Sequence, residues 1–216
     1  MSLAKCAYDL IRSEIINCSL APGQQIAQAQ LVEKYGLGLT PVREALQRLT
    51  HDGLVQPYPR FGYIVSPVTE DLVRHLFEYR LILETAGVGL ATTRAGDGPL
   101  ARVVESARFT YVYQNREEYV RFLEQNAHFH NSIARLSGNP RLVEALAGLL
   151  DELIRVFHLG LDLRDSAVEM QAEHLALAAA LQARDAGRAE QVMREQIVQS
   201  QQRVLEALRR IDIQIA

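Results

Sequence analysis

Breakers of regular structure divide this chain more sharply than any other feature of it. Pro22, Gly23, Gly36, Gly38, Pro41, Gly53, Pro57, Pro59, Gly62 and Pro67 cut the first 68 residues into short pieces. From Thr69 onward the punctuation gathers at three places, Gly96-Asp97-Gly98-Pro99, Gly138-Asn139-Pro140 and Gly187. Such a chain holds short helices and turns at its start and long uninterrupted elements afterwards. The composition boundary at Ser66–Thr69 predicts a first domain over 1–68 and a second over 69–216.

In the first domain, Ala7, Leu10, Ile11 and Ile15 recur at helical spacing and predict a helix from Leu3 to about Asn17. Ala21-Pro22-Gly23 is a turn, and a short helix then runs to Tyr35, stopped by Gly36. Thr40-Pro41 reads as an N-cap residue followed by proline at the first helical position. Val42, Ala45, Leu46 and Leu49 would form the buried stripe of that helix, which Gly53 ends. Leu54-Val55-Gln56-Pro57 and Gly62-Tyr63-Ile64-Val65 are two short strands around Tyr58-Pro59-Arg60-Phe61. Three helices followed by a hairpin make a winged helix-turn-helix.

The second domain is expected to be an all-α bundle, so the whole chain is mainly α. Thr69-Glu70-Asp71 caps a helix reaching about Arg94, with Leu72, Leu76, Leu83 and Val88 on its inner side. Further helices are predicted at 98–113, 116–137, 140–160, 166–186 and 188–210. The longest apolar run, Leu175–Leu181, is too short to cross a bilayer. Met1-Ser2-Leu3-Ala4-Lys5 has no apolar signal core, and Cys6 and Cys18 cannot make a disulfide framework. The expected location is the cytoplasm.

Residues 1–68 carry a formal net charge of +1 and the remainder −4. Neither part is a cationic tail, so a nucleic-acid surface must consist of a few placed residues. The helix after Gly38 offers them. With its apolar stripe turned inward, Arg43, Glu44, Gln47 and Arg48 lie on the opposite face. Arg pairs with guanine and Gln with adenine in the major groove, and the N-terminus of the helix that begins at Thr40-Pro41 offers free N–H groups to a phosphate. Arg60, Phe61 and Gly62 at the hairpin tip would bring a cation and bare backbone to the minor groove. A polar face on a short helix is otherwise merely solvated; the complete helix-turn-helix-hairpin order favours the DNA reading.

Polar residues also recur at helical spacing in the acidic part. Asn126 and His130 share a face, His174 sits among Leu175, Leu177 and Leu181, and Gln196 lies within the following helix. Two imidazoles on different helices can share a metal, or each can be a satisfied buried histidine. His128 is out of phase with His130 and reads as a surface residue, while His51, His75 and His158 have no companion spacing. Arg80 and Glu84 are either an ordinary i,i+4 pair or an Arg aimed into the bundle to take a carboxylate.

Residues 21–66 resemble the DNA-binding head of the GntR family of bacterial transcription regulators. The resemblance rests on Thr40-Pro41-Val42-Arg43-Glu44-Ala45-Leu46-Gln47-Arg48-Leu49, then Asp52-Gly53-Leu54-Val55 and Gly62-Tyr63-Ile64-Val65. The second part is similar to the FCD effector domain of the FadR subfamily. There the shared residues are Arg80 and Glu84, Phe129-His130, Ser137-Gly138-Asn139-Pro140, Glu173-His174 and the segment Arg184–Met193. The resemblance implies a homodimer on a pseudo-palindromic double-stranded operator, released or rearranged by a small-molecule effector. It places a divalent metal such as zinc on one Asp and three His, positions occupied here by Asn126, His130, His174 and Gln196. Two neutral amides weaken that ligand set. The cavity would then hold its effector directly through Arg80, Asn126, His130, His174 and Gln196, and Arg80 makes an organic acid the expected ligand. Leu39 stands where the family has an arginine, and Gly38 where it has Ser or Thr, which predicts an altered operator preference.

Two other readings are open to the sequence. One is a small metal-dependent or acid/base enzyme working through His130 and His174; the other is a sensor whose head has lost specific DNA binding at Gly38-Leu39. No Gly-rich phosphate loop, metal-spaced Cys pair, G-x-S-x-G or H-E-x-x-H supports catalysis.

Overall fold

The computed structural model describes the backbone of residues 2–60 and 62–215 and the side chains of all but the last five of these. The chain divides into two compact units, Met1–Val68 and Thr69–Ala216. Among the described residues no helix is long and apolar enough to cross a membrane.

The first unit contains α1 (Leu3–Ile16), β1 (Gln25–Ile26), α2 (Gln28–Tyr35), α3 (Leu39–His51), β2 (Val55–Tyr58) and β3 (Gly62–Val65). The Ser2 hydroxyl caps α1 by accepting from the Lys5 N–H at 3.2 Å. Ala7, Ile11 and Ile15 of α1 pack with Leu31 of α2, with Val42, Ala45, Leu46 and Leu49 of α3, and with Val55 and Val65 of the strands. The hairpin expected from the sequence is the larger part of a three-stranded antiparallel sheet in the order β1-β3-β2. The third strand, β1, is two residues long and pairs Gln25 with Ile64 and Ile26 with Tyr63. A strand that short leaves no periodicity to read.

Gly62 makes this sheet possible. Its φ is +98°, and a Cβ there would lie 2.8 Å from the backbone oxygen of Ile26. A side chain would therefore meet strained backbone and a steric clash at the β1–β3 pairing. Gly62→Ala is expected to cost roughly 1–3 kcal/mol and lower the head's melting temperature by about 5 °C or more. An unchanged melting curve would contradict this account of the wing.

The second unit is entirely helical: α4 (Glu70–Arg94), α5 (Asp97–Glu105), α6 (Arg116–Leu136), α7 (Pro140–Leu163), α8 (Ala167–Gln182) and α9 (Ala186–Ile215). Thr69, Asn115 and Asn139 cap α4, α6 and α7 through side-chain oxygens. Helix α4 packs against α6, α7 and α9 and so runs through the middle of the bundle. Its inner face differs from the expected one. Leu72, Leu76 and Leu83 are only half-buried, while Val73, Phe77, Arg80, Glu84 and Val88 point inward. The leucines misled because two charged residues occupy the core side.

Two boundaries also moved. Helix α5 ends at Glu105 rather than near 113, and the following segment is not helical. There Phe109 and Tyr111 are buried while Arg108, Thr110 and Val112 are exposed, a period-2 pattern too short to stand out. The break before α9 lies at Arg184-Asp185, and Gly187 is already helical. Arg184 has φ +56°, and the Asp185 carboxylate accepts from the Arg188 N–H at 2.9 Å as an N-cap. The Arg184 guanidinium donates to the Thr92 and Ala95 carbonyls at 3.2 and 2.5 Å, satisfying the end of α4.

His158, assigned no role from the sequence, is buried on α7. Burial pushes its pKa down to about 4 against the opposing pull of Asp162, with Arg116 adding to the downward shift. The unfolded chain then binds a proton between about pH 6.5 and 4 that the folded chain refuses, so stability is present above that window and lost as pH falls through it. The full loss from this residue is roughly 3 kcal/mol. Buried His174, shifted in the same direction, adds to the slope. His158→Gln should flatten part of the pH dependence of chemical denaturation; a profile parallel to the parent's would contradict it.

Candidate functional site

The head presents α3 much as its apolar period predicts. Val42, Ala45, Leu46 and Leu49 are buried, and Thr40, Arg43, Glu44, Gln47 and Arg48 are exposed. The helix begins earlier than expected. Gly38 is the N-cap and Leu39 the first helical residue, so Thr40 is not the cap and Pro41 stands third. Proline is tolerated there because the first-turn N–H groups have no partner in the helix. Leu39 itself is exposed on that first turn.

The exposed side chains are not equivalent. The Arg48 guanidinium lies over the Tyr8 ring of α1, 4.1 Å from its centroid, and the Tyr8 hydroxyl donates to Asp52 at 2.7 Å. Arg48 therefore helps fix α3 against α1. Arg43 and Gln47 make no hydrogen bond or ion pair among the described residues and stand free on the helix face. At the wing, Arg60 is exposed with φ +71°, and Gly62 begins β3. Phe61, the third wing candidate, lies outside the described residues.

In the helical unit, all five residues singled out from the sequence are buried together with Glu84. Arg80, Glu84, Asn126, His130, His174 and Gln196 are each at most 5% exposed. Helix α6 explains two of them: Phe122, Asn126, Phe129 and His130 fall on its single buried stripe. Helices α4, α8 and α9 supply the rest.

The connections are specific. Arg80 Nε donates to Glu84 Oε1 at 2.5 Å, and the other Glu84 oxygen is paired with His130 Nδ1. His130 Nε2 faces Arg80 Nη2 at 3.4 Å, closing a three-residue ring. The ion pair that could have been a surface pair is thus the charged centre of the bundle. Burial alone would raise the Glu84 carboxyl, but Arg80 and His130 together hold it well below the usual carboxylate range. His174 Nε2 donates to Asn126 Oδ1 at 3.0 Å, and burial with the nearby positive groups keeps that imidazole neutral. Gln196 Oε1 is buried without a partner.

Aromatic rings wall the cluster. Phe77 and Phe157 flank the Arg80 guanidinium at 5.8 and 5.4 Å, and Phe109 stacks 4.5 Å from the His174 ring. Neither Phe109 nor Phe157 was marked out by spacing, because the first arrives on the non-helical segment after α5 and the second from a helix rich in other apolar residues. One helical turn along, Phe157, Met170, Ser200 and Arg203 line a cavity of about 20 Å³. That space suits a single water.

Comparison with known proteins agrees with both halves. Residues 3–65 match the family described as bacterial regulatory proteins, gntR family, and residues 75–199 match the FCD domain. The chain is 28% identical over 199 residues to the HTH-type transcriptional repressor GlaR of Escherichia coli, covering 88% of this chain and 90% of the repressor. It is 30% identical over 169 residues to an HTH-type transcriptional regulator in an unstable DNA locus of Streptomyces ambofaciens, covering 77% and 70% of the two chains. In fold it is similar to a GntR regulator from Rhodococcus sp. RHA1, with a TM-score of 0.73 at 22% identity over 96% of this chain and 99% of that one. Escherichia coli McbR/YncC gives a TM-score of 0.69 at 23% identity, over 95% and 98%.

Proposed function

This chain is a transcription regulator of the GntR family carrying an FCD domain, and we propose that it works as a homodimer on a two-fold-symmetric stretch of double-stranded DNA, controlled by a small organic acid bound in the helical unit. The relatives are regulators rather than enzymes, which supports a binding role for His130 and His174. The observation that carries the DNA reading is the free polar face of α3. Arg43 and Gln47 project from a helix whose other side is locked into the head's core, the arrangement that lets a helix lie in the major groove. Arg60 and Gly62 of the wing, with Thr40 and Pro41 at the start of α3, supply backbone and phosphate contacts beside it.

The ligand reading rests on the buried cluster. Arg80 spends two of its five N–H donors on Glu84 and His130, and a carboxylate is the group that takes the remainder. Asn126, His174 and Gln196 offer neutral polar atoms to the rest of such a molecule. Such a ligand would bind one arrangement of the helices around the cluster better than the others. The ligand then acts by favouring that arrangement, by no more than its differential affinity for it.

A panel of small mono- and dicarboxylic acids tests this at near-neutral pH. One acid is expected both to raise the melting temperature and to change retention of the chain on DNA. A response to amines or neutral sugars, and to no acid, would overturn the ligand class.

A further inference from the structure

A divalent ion bound by nitrogen and oxygen donors needs lone pairs that converge on one point, with an anionic ligand to offset the ion's desolvation. The cluster around Arg80 provides neither. His130 Nδ1 is taken by Glu84, and His130 Nε2 faces a guanidinium nitrogen at 3.4 Å. An ion placed on that nitrogen would sit against a second positive charge. His174 Nε2 bonds to the Asn126 amide oxygen, so this ring nitrogen carries its proton and has no lone pair to give. Gln196 contributes one neutral oxygen, left unpaired in the core. The one nearby carboxylate, Glu84, is already shared between Arg80 and His130. Among the described residues no three His, Cys, Asp or Glu side chains come together as a ligand set.

We infer that this site dispenses with a divalent metal, that the Arg80 guanidinium is its resident positive charge, and that the amides of Asn126 and Gln196 are what deny an ion its place. Two of the positions remain well spaced for ligation. Asn126 Oδ1 and His174 Nε2 are 3.0 Å apart, close to the separation of two ligands on one tetrahedral ion with bonds of about 2.0–2.1 Å. A carboxylate at 126 would supply the missing anionic donor, and an imidazole at 196 would add a nitrogen donor. The inference stands whether or not an organic acid is the ligand.

The test loads the purified whole chain with zinc alone, removes loose metal by dialysis, and measures bound zinc per chain and the melting temperature with and without chelator. The parent chain is expected to hold well under one equivalent, with a melting temperature indifferent to zinc and chelator. The Asn126→Asp/Gln196→His double variant should hold about one equivalent, gain about 5 °C or more, and lose both on chelation or with a further His174→Ala change. One equivalent in the parent, lost in His130→Ala or His174→Ala, would overturn the inference. A double variant that folds by circular dichroism yet holds no zinc would overturn the role given to the two amides. Should the double variant not fold, the parent's zinc content still decides the first point.

Discussion

Glu84→Gln is expected to destabilise the helical unit by about 3–5 kcal/mol, because it leaves a buried guanidinium without its counter-charge. The Arg80 side chain is 2% exposed, and Glu84 is its ion-pair partner as well as that of His130. A glutamine is nearly isosteric, so the cost is electrostatic and not a packing loss. In a unit of this size it corresponds to a fall in melting temperature of about 10 °C. Removing both charges should do less harm than removing one. Arg80→Met/Glu84→Leu eliminates the desolvation of the pair along with its attraction, and its melting temperature should lie above that of Glu84→Gln. A Glu84→Gln variant that melts with the parent would mean the pair is not the buried centre described above.

What the sequence made legible follows from which residues sit inside. The face of α3 was readable because Val42, Ala45, Leu46 and Leu49 repeat at helical spacing and nothing charged interrupts them. Asn126 and His130 were readable as companions because their spacing matches the helix period, whatever they bind. Helix α4 resists the same rule, since Arg80 and Glu84 take core positions that hydrophobic periodicity assigns to Leu76 and Leu83. Their inward aim depends on His130, forty-six residues away from Glu84, and no local pattern carries that information. The start of α3 shows a different limit. Thr40-Pro41 satisfies the capping rule, yet Gly38 already provides an extended cap and the proline fits within the first turn. Phe109 and Tyr111 reach the core from a non-helical segment of a few residues, too short for any period to declare itself.

Arg43→Ala should weaken operator binding more than any other single change in the head. Arg43 is exposed and unpaired, whereas Arg48 is held over Tyr8. A good bidentate base contact contributes about 1–3 kcal/mol, and the proposed symmetric dimer would lose it in both half-sites, about 2–6 kcal/mol in all. The expected loss of affinity is therefore at least ~30-fold, with relaxed preference at the contacted base pair. Arg48→Ala should act differently, lowering the melting temperature of the head through the lost Tyr8 contact. Equal losses of affinity from the two variants, with no change in base preference, would remove the distinction drawn between them.

The most direct measurement incubates the whole chain with fragmented genomic DNA of its own organism and sequences what is retained, with Arg43→Ala run in parallel. The account predicts a few strongly enriched fragments sharing an inverted repeat, their enrichment lost in the variant. Fragments retained without a common repeat, or retained equally by Arg43→Ala, would contradict the reading of α3 as the element that recognises DNA.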